Sequence, residues 1–84
     1  MATRINFIDL YSFYNELDGS VIETLMEDYR ITCSIRTLGQ PRIYTEDYLE
    51  KRIAVEQEKL ESARKIINDA IRSGVISREG KFRV

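Results

Sequence analysis

Along this chain the hydrophobic positions change period several times, and each change predicts a new element. "RINFIDLYSFY" is rich in aromatic and β-branched residues and has no glycine or proline, which predicts a strand within Ile5 to Tyr14. Its apolar residues fall on both parities, Phe7, Tyr11 and Phe13 against Ile8, Leu10 and Tyr14, so a central strand covered on one face and partly on the other is expected. "NELDGS" carries turn chemistry, and Ser20 followed by Glu23 fits a capping box, with a helix starting there or up to a turn earlier. Val21, Ile22, Leu25, Met26 and Tyr29 then recur at helical spacing, opposite Glu23, Thr24, Glu27 and Asp28. In "RITCSIRT" the alternation is strict: Ile31, Cys33 and Ile35 share one face of a half-buried strand. Strand, helix and strand in this order predict a βαβ unit with a parallel crossover. Gly39 and Pro41 in "LGQP" turn the chain or end the strand, and "RIYT" adds a further extended piece.

The stretch "EKRIAVEQEKLESARKII", Glu50 to Ile67, supports two readings. In one, a single helix starts near Thr45 and runs to Ser73, with Leu49, Ile53, Leu60, Ala63, Ile67 and Ala70 as a near-heptad stripe. That stripe is broken where Glu56 or Gln57 should be apolar, and the helix would be about 42 Å long, a large span for so small a domain. In the other, Arg52 to Val55 is a buried strand and Glu56 to Glu58 form the acidic first turn of a shorter helix. That helix buries Leu60, Ala63, Ile66, Ile67, Ala70 and Ile71 and ends at Gly74 as its C-cap. Periodicity leaves both open.

Composition narrows the function more than the fold. A chain of 84 residues makes one domain, 1–84, with its core in 5–72 and a tail at 73–84, and has little room for a deep enzyme cleft. No apolar run is long enough to span a bilayer, and "MATRINFIDL" does not read as a secretory signal, so a cytoplasmic protein without a membrane role is expected. The single cysteine, Cys33, cannot form an internal disulfide and reads as a small core residue. Without histidine the usual zinc ligand set and histidine acid-base chemistry are missing, and no metal or cofactor is expected. A net charge of −1, with both signs interspersed, argues against a nucleic-acid partner. No glycine-rich loop follows a strand at P-loop or dinucleotide spacing, and the carboxylates fall mainly on predicted solvent faces, some in helix pairs such as Glu61 with Lys65. The expectation is a protein that is not an enzyme.

Two segments resemble a known family. "DLYSFYNELDGSVIETLMEDYRI" resembles the opening of a family of small prokaryotic signal-transducing proteins, in which a Leu-Tyr-Thr or Val-Tyr strand precedes a helix. "RIAVEQEKLESARKII" is similar to their second half, where a strand ending in Val is followed by acidic residues and a helix with a Leu-x-x-Ala-Arg pattern. The resemblance spans Ile8 to Ile71, with Tyr29 and Arg30 standing where the family has a glycine turn, and it favours strand then helix for the second half. It implies an α+β fold, a ferredoxin-like (PII-like) α-β plait in the order β-α-β-loop-β-α, to which "GVISREGKFRV" adds a strand, a hairpin or a free tail. In such a plait the loop from Thr37 to Glu50 leaves the sheet edge and displays Arg42, Tyr44 and Tyr48, with Arg36 at its root. These four residues are the candidate contacts for a small-molecule effector or a protein partner. The plainer alternative folds both tyrosines back over the core and leaves the arginines solvated. The function expected is a non-catalytic binding or regulatory domain, with self-association through a sheet edge or a helix. The alternative is an interaction protein that associates through one long helix, 45–73.

Overall fold

The structure, a computed structural model, describes residues 6–38 and 49–84. Its elements are β1 (Phe7–Phe13), α1 (Glu16–Asp28), β2 (Cys33–Thr37), β3 (Lys51–Glu56), a 3₁₀ turn (Gln57–Lys59), α2 (Leu60–Arg72) and β4 (Lys81–Phe82). The four strands form one sheet in the order β2-β3-β1-β4, every neighbouring pair antiparallel. The described residues form an α+β domain of one antiparallel sheet and two helices. Because β1 and β2 both oppose β3, they run in the same direction, but β3 lies between them. The expected parallel crossover from β1 through α1 to β2 is therefore present in split form: the two strands are codirectional in one sheet, with β3 between them.

Both parities of β1 are apolar because the strand is bulged. Asp9 pairs with Ala54 and Tyr11 with Ile53, so Leu10 is the extra residue. Ile8 and Leu10 face inward before the bulge, and Tyr11 and Phe13 face inward after it, with the last three nearly or fully buried. The sheet therefore has one core face. The other face carries Phe7, Asp9 and Ser12 of β1, Arg52, Ala54 and Glu56 of β3, and Ser34 and Arg36 of β2, as the pairing register requires. The expected central strand is found, since β1 lies between β3 and β4 and Ser12 is buried on the second face, while the mixed parity of its apolar residues comes from the bulge.

Both helices pack on the core face, where Ile22 and Met26 of α1 and Ala63, Ile67 and Ala70 of α2 join Leu10, Tyr11, Phe13, Ile31, Ile53, Val55 and Ile76 in one cluster. The cap of α1 is Asn15, whose side chain accepts from the Leu17 N–H at 2.8 Å, so the capping box at Ser20 is not used and the helix starts a turn earlier. Tyr29, expected on the buried stripe, is 63% exposed because it is the C-cap and lies past the packed turns.

The single helix over 45–73 is overturned. Ile53 and Val55 are fully buried within β3, sandwiched laterally by β1 and β2, which a helix could not supply with ladder partners. The acidic residues after β3 do not open α2 directly, since a 3₁₀ turn precedes it. Gly74, at φ +78°, ends α2 as expected: its N–H donates to the Ile71 carbonyl and the Val75 N–H to the Ala70 carbonyl.

The tail returns across the molecule to add β4 beside β1. Several contacts hold it, among them the hydrogen bond from the Arg83 N–H to the Leu10 carbonyl at 2.7 Å. Asp18, buried in α1, accepts from Ser77 Oγ at 2.6 Å and from the Ser77 N–H at 3.2 Å. Gly80 passes so close to β1 that a Cβ there would meet Tyr11 Oη at 2.2 Å and the Ser12 carbonyl oxygen at 2.5 Å.

Candidate binding site on the open face of the sheet

The register that buries Tyr11 and Ile53 also builds a charged row on the opposite face. Arg36 of β2 and Arg52 of β3 are directly paired residues, so two guanidinium-bearing side chains start side by side. Like charges opposed across a ladder repel. The repulsion is relieved by two carboxylates: Arg36 donates to Asp9 Oδ2, Arg52 Nη1 lies 3.7 Å from the same oxygen, and Arg52 Nε donates to Glu50 Oε2 at 2.6 Å. Ser12 Oγ donates to the same Glu50 oxygen at 3.2 Å. To reach Asp9 on β1, Arg36 must cross β3, and it does so in the row where β3 carries only the methyl group of Ala54. Ala54 is buried on this face, where its neighbours are polar side chains and Phe7.

The hydrogen bond from Arg52 holds the Glu50 carboxyl below its ordinary range, against the opposing effect of burial, and the same bond raises Arg52. Arg36 remains 55% exposed and Arg52 24% exposed at the side chain. Of the two pairs, Arg36–Asp9 is the more open to solvent and Arg52–Glu50 is part-buried. Guanidinium groups offer paired donors that match a carboxylate or a phosphate.

Of the four residues expected to form a site, Arg36 lies in this cluster, while Arg42, Tyr44 and Tyr48 lie outside the described residues. Asp9, Ser12, Glu50 and Arg52 were not singled out by the sequence. Their signal was present as polar residues interrupting two apolar strands, but it could be read only once the bulge had set the parity of β1.

Other chemistry has weaker support. Cys33 packs at the margin of the core, and burial, then the charges of Glu23 and Glu27, push its thiol up, away from the thiolate a nucleophile needs. Tyr11 is likewise raised, first by burial and then by the charge of Asp18. Among the described residues, no group of three or more His, Cys, Asp and Glu side chains could hold a metal ion, and no helix is long and apolar enough to cross a membrane. Leu25, Tyr29, Ile66, Ala70 and Val75 line a shallow groove of about 280 Å³ between the helices. No protein family, curated protein or solved structure matches this chain.

Proposed function

We propose that this chain is a non-catalytic regulatory domain of the cytoplasm that works by binding an anionic effector on the open face of a ferredoxin-like α-β plait. The observation that carries the reading is the in-register pair Arg36 and Arg52, neutralised by carboxylates that a ligand carboxylate or phosphate can replace. The element order and the strand order β2-β3-β1-β4 support the plait. The resemblance of residues 8–71 to small prokaryotic signal-transducing domains belongs to the same reading, and supports a role in sensing more than in catalysis. Association through a helix over 45–73 is not proposed, because 51–56 is a strand.

The test is a titration of the ¹⁵N-labelled chain with inorganic phosphate, citrate and a nucleoside monophosphate in turn. Shifts are expected at the Arg36 and Arg52 side-chain Nε–H and at the amides of residues 34–37 and 52–54, for at least one of the three. They should weaken about tenfold in Arg36→Ala, a loss of about 1.4 kcal/mol. Shifts confined to other surfaces, or none with any of the three at millimolar concentration, would overturn the assignment.

A further inference from the structure

We infer that the outer edge of β2 is a docking strip for an extended segment of another protein that carries basic side chains at alternate positions. Among the described residues, β2 is an end strand of the sheet. The Leu38 N–H donates to the Glu50 carbonyl at 2.7 Å and the Glu56 N–H to the Thr32 carbonyl at 3.2 Å, so the even-numbered residues bond inward to β3. By the alternation of an antiparallel ladder, the N–H and C=O groups of Cys33, Ile35 and Thr37 point outward, and no strand among the described residues pairs with them. Such a row is a template for a further strand. Natural edges are usually guarded by proline, a bulge or an outward charge. β2 pairs without a bulge, contains no proline, and has its one charged side chain, Arg36, drawn inward to Asp9. The opposite edge is different: β4 has two residues, with Lys81 and Arg83 at hand to guard it.

Charge selects the occupant. Residues 16, 20, 23 and 27 of α1 follow i, i+4, i+7, i+11 and form one stripe. Glu16, Ser20 and Glu23 line a depression of about 270 Å³ together with Ile35 and Thr37, and the charges of Glu23 and Glu27 reach Cys33. The stripe therefore runs beside the β2 edge, and α1 contains no Lys or Arg. Lys51 of β3, which also lines the depression, is buried with its Nζ donating to the Tyr14 and Leu49 carbonyls, whereas Glu16, Glu23 and Glu27 are exposed to an added strand. A strand added to β2 would turn every second side chain toward this stripe, opposite Cys33, Ile35 and Thr37. Lys or Arg at those positions lay their apolar stems on Ile35 and their charges against the glutamates. The intervening positions face Ser34 and Arg36 and favour neutral or acidic residues. A second copy paired through its own β2 fits poorly, since Cys33, Ile35 and Thr37 offer no cation to the stripe and the pairing would bring two acidic stripes together.

The experiment titrates the ¹⁵N-labelled chain with a short peptide alternating Lys and Thr, with its Glu-Thr counterpart, and with the Lys-Thr peptide N-methylated at every second amide in each parity. Binding of the Lys-Thr peptide is expected to shift the amides of Cys33, Ile35 and Thr37 and slow their hydrogen exchange. It should fall about tenfold or more in the exposed double variant Glu23→Lys/Glu27→Lys. Blocking by methylation in one parity only would show that the backbone ladder carries the contact. Equal binding of both methylated peptides, or of the Glu-Thr peptide, would overturn the inference. So would protection of these amides in the free chain: concentration-independent protection would mean the chain covers its own edge, and concentration-dependent protection a second copy. The phosphate response at Arg36 and Arg52 is read from different signals, so either proposal can fail alone.

Discussion

Arg30 and Gly74 occupy the same position in two different helices, one residue past the C-cap, and close the same pair of hydrogen bonds. After α1 the Arg30 N–H donates to the Glu27 carbonyl and the Ile31 N–H to the Met26 carbonyl, with Ile31 buried as the accompanying apolar contact. Arg30 takes φ +58° to do so, a conformation that costs an L-residue about 1–2 kcal/mol and glycine almost nothing. Its side chain is exposed, so little is lost with it. Arg30→Gly should therefore stabilise the fold by about 0.5–1 kcal/mol after the entropy that glycine adds to the unfolded chain. Thermal melting would register this as a rise of roughly 2–8 °C. An unchanged or lower midpoint would mean that the left-handed turn is not the strain it is taken to be.

The elements hold one another in place through contacts distant in sequence, and β4 shows the dependence most clearly. Two residues cannot make an independent strand, and β4 exists because Asp18 anchors Ser77 and Gly80 lets the chain lie on Tyr11 and Ser12. Phe82 then stacks edge-on to Tyr11 at 5.0 Å between ring centroids. Asp18→Ala should cost about 1.5–3 kcal/mol, the worth of hydrogen bonds to a charged acceptor. Much of the loss should be local. Hydrogen exchange is expected to accelerate from Ser77 to Arg83 while the amides of β3 remain protected, whereas uniform acceleration would show that the tail is part of the global folding unit.

Across the whole molecule, the charged sheet face couples stability to pH. Glu50 has its carboxyl held low by Arg52, so the folded state binds its proton less readily than the unfolded state. Its contribution is present above the ordinary glutamate value of roughly 4.3 and is lost as pH falls through the lower folded value. Glu50→Gln should be less stable than the unaltered chain near neutrality, and urea midpoints of the two should converge as pH falls from about 6 to about 3. Salt should narrow the neutral-pH difference as well, because the pairs are partly exposed. A gap that widens toward low pH would reverse the sign assigned to Glu50.

The sequence alone determined the local units: a strand ahead of Tyr14, an amphipathic helix around Ile22 and Met26, the alternation of Ile31, Cys33 and Ile35, and the glycine stop at Gly74. Each follows from the preferences of neighbouring residues, which are legible within one window of chain. Tertiary structure decided what those windows could not. Lys51 to Glu56 became a strand because β1 and β2 supply hydrogen bonds on both sides, although its neighbours are good helix formers. Leu10 became a bulge because Tyr11 and Phe13 must face the same core as Ile8. The cluster of Asp9, Arg36, Glu50 and Arg52 followed from that register, since residues far apart in the chain meet only once strand order and parity are set by burial.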